Sequence, residues 1–168
     1  MTVTHLQTPV TPHPFIAALA KQDIDALMGT LAPDAVLHSA VTDTPFEGRE
    51  VIRDIYESLF EVFEELTVTD EFHSDRTHAF FWEGRLEGRY VAGADRIRLN
   101  EQGQVTDITI VGRPLAGLAG FITGIGSGFA RRRRGPFVAR VLRVAGLPLA
   151  PLFASLDAVT RWLIRGRR

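Results

Sequence analysis

After residue 63 the spacing of apolar residues changes from a helical period to a strand-like alternation. Over residues 49–63 apolar side chains recur every three or four positions, which predicts an amphipathic helix. Strand-like runs rich in β-branched and aromatic residues follow at 66–72, 77–89 and 95–99. This change restricts the chain to folds in which a helix packs on a sheet formed largely by the residues that follow it.

The remaining elements complete an α+β arrangement. Short helices are predicted over residues 15–20 and from Asp23, which can cap the second helix, to Pro33, which stops it. Strands are predicted at 35–41 and 104–111, and the sequence NEQG before the latter predicts a hairpin turn. The predicted fold class is therefore α+β, with helices packed on one curved antiparallel sheet.

Charge is divided unevenly along the chain. Residues 1–130 carry 19 acidic and 9 basic side chains, whereas residues 131–168 carry 10 arginines and the single acid Asp157. The total formal charge of −1 conceals this division. Such a division marks either an interaction segment or a tail that folds onto an acidic body. We predict three segments: a flexible lead-in at 1–11, a compact domain at 12–114, and an apolar, arginine-rich helical extension at 115–168.

Composition also bears on the cellular compartment. The chain has no cysteine, so it has no disulfide and no thiol nucleophile, and a reducing compartment fits. Its first residues lack the basic and apolar regions of a secretory signal. We predict a cytoplasmic protein, with peripheral attachment to the inner face of the cell membrane as the alternative that the extension raises.

Three phrases, together with the order of elements, resemble a known family. LAPDAVLHSAV, PFEGREVIRDIY and DRIRLNEQGQVTDITIVGRP are similar to the nuclear transport factor 2-like superfamily, and most of all to its bacterial SnoaL-like branch of polyketide cyclases, ketosteroid isomerases and limonene-epoxide hydrolases. The resemblance covers residues 12–114. It implies a cone-shaped half-barrel that holds a small hydrophobic molecule, and a homodimer. Because this fold hosts enzymes, binding proteins and silent domains, it does not define the activity.

The resemblance carries over to three positions of a ketosteroid isomerase site. Asp95 matches the carboxylic acid that those enzymes keep protonated, and an apolar cavity would raise its pKa in this way. The alternative for Asp95 is a carboxylate that bonds the local backbone at the start of a strand. The catalytic base falls near Ser39 and the tyrosine donor near Phe15, and neither residue can perform those tasks. Steroid isomerisation is therefore not expected.

His38 is the second candidate catalytic residue. Its ordinary pKa suits a general base or proton shuttle near neutral pH, and it would pair with Asp95 if both entered the pocket. Because neighbours on a strand face opposite ways, only one of His38 and Ser39 can point inward. The alternative is a half-buried histidine that bonds the adjacent loop. A nucleophilic His–Ser–Asp arrangement is weaker, since no strained elbow surrounds Ser39.

Other residues are candidates for the walls of the pocket. Trp82 is the best aromatic candidate, with Tyr56 as a second, although core packing also accounts for both. Arg113, at the end of the last strand, can hold a substrate anion or pair with an acid on a helix. The predicted substrate-binding residues are Trp82, Phe15, Ser39, Tyr56 and Arg113.

Two further chemistries are less well supported. Epoxide hydrolases of the superfamily use two aspartates bridged by an arginine, with the arginine and one aspartate two residues apart on a strand. Arg85 and Glu87 have this spacing, but Asp107 does not match the position of the second acid in the last strand. His73 and His78 flank a predicted turn, and no cysteine or further histidine completes a metal-binding set. No nucleotide-binding glycine loop is present either. We predict neither a metal nor a cofactor.

The extension combines an apolar run with a basic one. Residues 114–130 contain no charge and five glycines, and four arginines follow at once. The four-residue spacing of Gly120, Gly124 and Gly128 lets two helices approach closely. Amphipathic helices with cationic faces are predicted beyond. The residues predicted to bind a membrane or partner are Arg131, Arg132, Arg133, Arg134, Arg140, Arg143, Arg161 and Arg165.

Three accounts of the extension remain open, and a membrane span is a fourth and weaker one. It can fold back on the acidic domain, lie on an anionic membrane surface, or contact nucleic acid, the last being the least expected because few aromatics accompany the arginines.

For the whole chain we expect a domain that binds a small hydrophobic molecule, with cyclase- or isomerase-type acid–base chemistry if it is an enzyme. The alternative is a non-catalytic module docked through its tail.

Overall fold

The structure, a computed structural model, describes residues 12–165. The predicted lead-in at residues 1–11 lies outside the described residues, as do residues 166–168. The domain begins with three helices and a six-stranded sheet, which follow the predicted order except for a two-residue strand at Phe46–Glu47, where a loop was predicted. The helices are α1 (Pro14–Ala20), α2 (Ile24–Gly29) and α3 (Arg49–Val62). The strands are β1 (Leu31–His38), β2 (Phe46–Glu47), β3 (Phe63–Ser74), β4 (Thr77–Leu86), β5 (Arg89–Leu99) and β6 (Val105–Arg113).

The strands form one curved, open sheet in the order β2-β1-β6-β5-β4-β3. All neighbours are antiparallel except β1 and β6, which run parallel. The helices α1, α2 and α3 cover the concave face, so the hydrophobic core lies between them and the sheet. The predicted α+β class, a curved sheet packed on N-terminal helices with a helical C-terminal part, is confirmed; the parallel pair was not predicted.

The first strand begins earlier than predicted because Pro33 does not end a helix. Asp23 caps α2 through its Oδ1, which accepts from the backbone nitrogen of Ala26 at 3.0 Å, but α2 ends at Gly29. Leu31 already pairs with β6, and the next regular pair follows only at Val36. Pro33 lies in the irregular stretch between them, where its missing N–H does not interrupt the pairing.

The predicted strand at 77–89 is in fact the end of one strand, a turn and the start of the next. Glu87 and Gly88 both have positive φ angles, 49° and 74°, and they connect β4 to β5 as a two-residue hairpin. Glutamate rarely adopts this conformation, so the sequence gives little sign of the turn. As a result β5 begins at Arg89, six residues before the strand that was predicted at 95–99.

The C-terminal part forms two long helical stretches joined at Gly135, whose φ is 89°. The first stretch contains α4 (Leu115–Gly120), a π-helical turn (Phe121–Gly126) and α5 (Ser127–Arg134), which continue one another. The second contains α6 (Pro136–Gly146) and α7 (Leu149–Arg165). We call the first stretch, residues 115–134, the covering helix, because it lies against α3 and β5.

Glycines allow the covering helix to lie close to the domain. A Cβ atom on Gly128 would be 2.9 Å from the side chain of Ser58 on α3, and one on Gly120 would be 2.3 Å from Leu86. A Cβ on Gly124 would be 3.3 Å from Val62, also on α3. The predicted close approach at these glycines is therefore made to the domain itself.

Ion pairs join the same helix to the acidic face of α3. Arg131 contacts Glu61 at 2.9 Å, and Arg132 contacts Glu61 at 2.6 Å and Glu57 at 3.2 Å. The next arginine, Arg133, lies 2.5 Å from Asp54. Partial burial raises the pKa of Glu61, but the bonds from Arg132 and Arg131 outweigh it and hold that pKa below its ordinary value. Three of the four consecutive arginines thus bind the domain of their own chain.

Candidate functional site

Asp95 lies in the concave interior of the cone. Its side chain is on the same face of the sheet as its direct partners Phe80 and Ile110, because opposite residues on paired strands share a face. Only 4% of Asp95 is exposed. It is one of three buried polar or charged residues among residues 12–165, and the only acid among them.

The indole of Trp82 holds the Asp95 carboxylate in place. Trp82 Nε1 donates a hydrogen bond of 2.7 Å to Oδ1 of Asp95. The ring fits only because Gly93 lies opposite it on β5, where a Cβ atom would be 2.4 Å from Trp82 Cζ2. The sequence predicted Trp82 as a cavity wall, and the structure adds that it is the donor to Asp95.

Burial changes the acidity of Asp95. Removal from water disfavours its charged form and raises its pKa from 3.8 to about 7, against the opposing effect of the bond from Trp82. Near neutral pH a large fraction of molecules therefore carries a neutral Asp95, whose O–H group can donate a hydrogen bond into the cavity.

Tyr56 supplies a second donor. It projects from α3, is 1% exposed, and its hydroxyl has no hydrogen-bond partner among the described residues. Burial, and then the nearby charge of Asp95, raise the pKa of Tyr56 well above 10, so the phenol stays protonated. A buried hydroxyl without a partner is unfavourable by about 1–3 kcal/mol, which a ligand oxygen could recover.

The space between these groups is small and otherwise apolar. The cavity measures about 20 Å³, enough for one water molecule. Besides Asp95, Tyr56 and Trp82, its walls are Leu19, Leu59, Phe63, Leu66, Ile110 and Phe121. Because of this small volume, a ligand larger than water requires one wall to move.

Phe121 is the wall that connects this cavity to the outside. It lines the Asp95 cavity, a second cavity of about 70 Å³ that contains Ser39, and a surface groove of about 830 Å³ beside α5 and α6. It belongs to the π-helical turn of the covering helix, and its ring centroid is 6.4 Å from that of Trp82. Among the described residues, Phe121 is the only one that borders all three spaces.

The structure separates His38 from Asp95. Leu37 is buried and Ser39 lines the second cavity, so the strand alternation turns His38 to the outer face of the sheet. There its Nε2 lies 3.3 Å from Oδ2 of Asp107, and 46% of its side chain is exposed. The expected acid–base pair of His38 and Asp95 is not assembled, because the two side chains are on opposite faces.

Two predicted pocket residues also lie elsewhere. Phe15 is fully buried behind the cavity, with its ring 6.0 Å from that of Tyr56, and does not line the cavity. Arg113 is exposed and lines a groove of about 470 Å³ on the outer face, together with Tyr90. Neither residue can contact a molecule bound at Asp95.

The residues considered for epoxide opening do not converge. Arg85 lies 3.9 Å from Glu65 at the surface. Glu87 accepts a hydrogen bond of 3.1 Å from Thr123 of the covering helix and lies 3.3 Å from Arg143 of α6. Asp107 contacts Arg96 and His38 on the outer face. Glu87 therefore holds the C-terminal helices in place rather than facing the cavity.

Sequence reasoning missed Phe121 because it placed residues 115–168 in an extension, and folding of that extension onto the domain was only one of the accounts left open. The signal that could have found it was the glycine spacing in the apolar run at 114–130, which predicts a closely packed helix. The unpartnered state of the Tyr56 hydroxyl has no sequence signal, since it depends on what surrounds the ring.

The fold and this cavity define a class of protein, a half-barrel of the nuclear transport factor 2-like superfamily with a buried carboxyl group in its cone. The SnoaL-like domain family matches residues 13–108, and the chain belongs to that family. A comparison with curated proteins gave no match.

Solved structures resemble the chain over most of its length. A steroid delta-isomerase from Pseudomonas aeruginosa is 25% identical, with a TM-score of 0.63 over 77% of this chain and 98% of the other. A bacterial protein with a cystatin-like fold from Silicibacter pomeroyi is 22% identical, with a TM-score of 0.62 over 71% and 85%. A putative SnoaL-like polyketide cyclase from Shewanella denitrificans is 16% identical, with a TM-score of 0.51 over 60% and 85%.

Proposed function

We propose that this domain binds a small apolar molecule with one accepting oxygen, such as a carbonyl, in the cavity between Asp95 and Tyr56. The observation that carries the proposal is the pairing of a buried acid whose pKa is about 7 with an unpartnered tyrosine hydroxyl. Apolar walls would bind the body of the ligand, and the two donors would orient its oxygen.

The same arrangement suits carbonyl chemistry. Tyr56 donates toward the ligand oxygen, and a donor in a water-poor cavity stabilises negative charge as it develops on that oxygen. Enolisation, a step in the isomerisation and cyclisation of carbonyl compounds, places charge there and breaks a C–H bond, whose proton passes to Asp95 in its ionised form. The isomerase and cyclase named among the similar structures support this class of reaction. The donor and the base both belong to the chain, so the proposed step needs no cofactor.

A carrier without catalytic activity is the second candidate. Among the residues that line the Asp95 cavity, only Asp95 and Tyr56 are titratable. A proton abstracted from the ligand would therefore have to go to Asp95 itself, in its ionised form. Binding without turnover of any carbonyl compound tested would favour the carrier.

The binding experiment uses Trp82 as its reporter. The chain has two tryptophans, and Trp162→Phe leaves only the one that contacts Asp95. This variant is titrated with 1-indanone and with indane, which share a carbon skeleton and differ by the carbonyl oxygen. We expect indanone to bind about three- to ten-fold more tightly, as one or two hydrogen bonds would give.

Matched variants decide whether the cavity is responsible. Asp95→Leu removes one donor while keeping a side chain of similar size, and Tyr56→Phe removes the other. Each should reduce the preference for indanone and leave indane binding nearly unchanged. Equal binding of the two compounds to the parent protein, or a preference that survives both substitutions, would contradict the proposed function.

A further inference from the structure

The second helical stretch leaves a long apolar surface uncovered. After Phe153 every described residue of α7 is exposed. Trp162 is 71% exposed, Leu163 60% and Ile164 75%, and on α6 Phe137 is 78% exposed. A large exposed apolar surface of this kind marks an interaction site.

The helix Pro136–Arg165, which contains α6 and α7, has three distinct faces. Ala139, Gly146 and Ala150 are buried and turn toward the protein. Four arginines form a second stripe, because separations of three, eighteen and four residues return to nearly the same side of an α-helix. They are Arg140, Arg143, Arg161 and Arg165. The third face is apolar and exposed, and its main residues are Phe137, Val141, Val144, Leu152, Val159 and Trp162.

We propose that α6 and α7 lie in the surface of an anionic lipid bilayer. In this arrangement the exposed apolar face sinks into the acyl boundary, and the stripe of arginines beside it contacts anionic headgroups. This surface is distinct from the Asp95 cavity, so the inference does not depend on the proposed function. Arg131, Arg132 and Arg133, which bind carboxylates of α3, are not part of the proposed membrane-binding surface.

Charge placement favours the bilayer surface over a span. The helix Pro136–Arg165 is long and apolar enough by length and composition to cross a membrane. However, Arg143 and Asp157 bound an uncharged segment of thirteen residues, whereas a span requires about 20 apolar residues. A helix lying in the interface can keep both charges in the headgroup region.

Charge also argues against a second copy of this chain as the partner. The stripe holds four arginines, and Asp157 is the only acid on α6 and α7. A symmetric pair of such helices would bring like charges together at their edge. An anionic surface supplies the opposite charge to Arg140, Arg161 and Arg165, whereas Arg143 already lies 3.3 Å from Glu87 of the domain.

The test uses the full chain with vesicles of phosphatidylcholine alone or of phosphatidylcholine with phosphatidylserine. Binding is measured by co-sedimentation and by tryptophan emission, in which Trp82, already buried, contributes no shift. We expect binding to the anionic vesicles that weakens with salt, a blue shift from Trp162, and little binding to neutral vesicles.

Surface substitutions separate the electrostatic contribution of the arginines from the insertion of the apolar face. Arg161→Gln with Arg165→Gln should weaken binding to anionic vesicles about 30-fold, since each arginine near the surface contributes about five-fold. Val159→Asp with Leu163→Asp should abolish the blue shift. Phe72→Asp is the control, because Phe72 in the single chain is an equally exposed apolar residue, 59%, on β3 of the sheet. Light scattering checks that this control keeps the mass of the parent protein.

Several results would overturn the proposal. They are absence of binding to either vesicle, equal binding to neutral and anionic vesicles that salt does not change, and an equal loss with the Phe72→Asp control. Release of the bound protein by an alkaline carbonate wash would support an interfacial helix. Retention after that wash would show a span instead, and self-association that buries Trp162 without lipid would show a protein partner.

Discussion

The indole nitrogen of Trp82 and the carboxylate of Asp95 are joined by a hydrogen bond of 2.7 Å, the only side-chain bond that Asp95 receives from the described residues. One donor does not replace the hydration that burial removes, so the pKa of Asp95 remains raised at about 7. The hydrogen bond from Trp82 therefore fixes the position of the Asp95 carboxyl group, while the charge of that group changes near neutral pH.

The first prediction concerns stability and pH. The pKa of Asp95 is higher in the folded state, about 7, than its ordinary value of 3.8, so folding favours the protonated form. Its contribution to stability is complete below about pH 4 and is lost as the pH rises through about 7. Asp95→Asn cannot ionise and keeps an oxygen for Trp82. We expect its free energy of unfolding at pH 8 to exceed that of the parent by up to about 4 kcal/mol.

Urea unfolding of both proteins at pH 4 and pH 8 checks this first prediction. The difference between the two proteins isolates Asp95 from the other carboxylates, which titrate in both. A difference that does not change between the two pH values would mean that Asp95 is not the buried acid described.

The second prediction tests the bond from Trp82. Because that bond favours the ionised carboxylate, Trp82→Phe should raise the pKa of Asp95 further. Carbon-detected NMR of the Asp95 carboxyl follows its titration directly. Trp162→Phe is the matched control, since Trp162 is on the exposed part of α7 and should leave the titration unchanged.

The third prediction concerns access to the cavity. Phe121→Ala removes the one side chain that borders both cavities and the groove, and should speed the association of 1-indanone measured by stopped-flow fluorescence. The loss of a buried aromatic ring should lower stability by about 3–5 kcal/mol. Phe129→Ala is the comparison, because Phe129 lines the second cavity and the groove but not the Asp95 cavity. Equal acceleration by both variants would remove Phe121 from its role as the separating wall.

The fourth prediction concerns the covering helix. Gly128→Leu would place a side chain where even a Cβ lies 2.9 Å from Ser58, so the helix should separate from α3 and become sensitive to proteases, with a loss of stability of about 1–3 kcal/mol. Gly126→Ala is on the same helix and meets no atom closer than 3.4 Å. It should leave protease resistance as it is. Limited proteolysis followed by mass spectrometry locates the cut.

The fifth prediction addresses the homodimer that the family resemblance implies. The outer face of the sheet exposes Phe72 to 59%, Phe81 to 49%, Tyr90 to 49% and Val111 to 56%, and several of these border a groove lined with small residues. We expect a second copy to cover this face. Phe81→Arg should then convert a dimer to a monomer in light scattering, whereas an unchanged mass would exclude this face as the contact.

The sequence predicted the order of the helices and main strands, and three of the nine residues that line the cavity: Tyr56, Trp82 and Asp95. The helical period identified α3, which contributes Tyr56, and the phrase around Asp95 marked the acid. Alternation showed that only one of His38 and Ser39 faces inward, but not which one, because that depends on the register of β1 against β6. The role of Phe121 depended on how a distant helix docks, a tertiary contact that no local pattern encodes.

The covering helix also sets an order in the synthesis of the protein. Eight of the nine residues that line the cavity precede Phe121 in the chain, so translation completes all of them before Phe121 exists. The ribosome releases the N-terminal part of a chain before the C-terminal part. We expect a hydrophobic metabolite present before the covering helix docks to meet an open cone, which that helix then closes. Mass spectrometry of solvent extracts from gently purified, then denatured, protein would identify any such passenger.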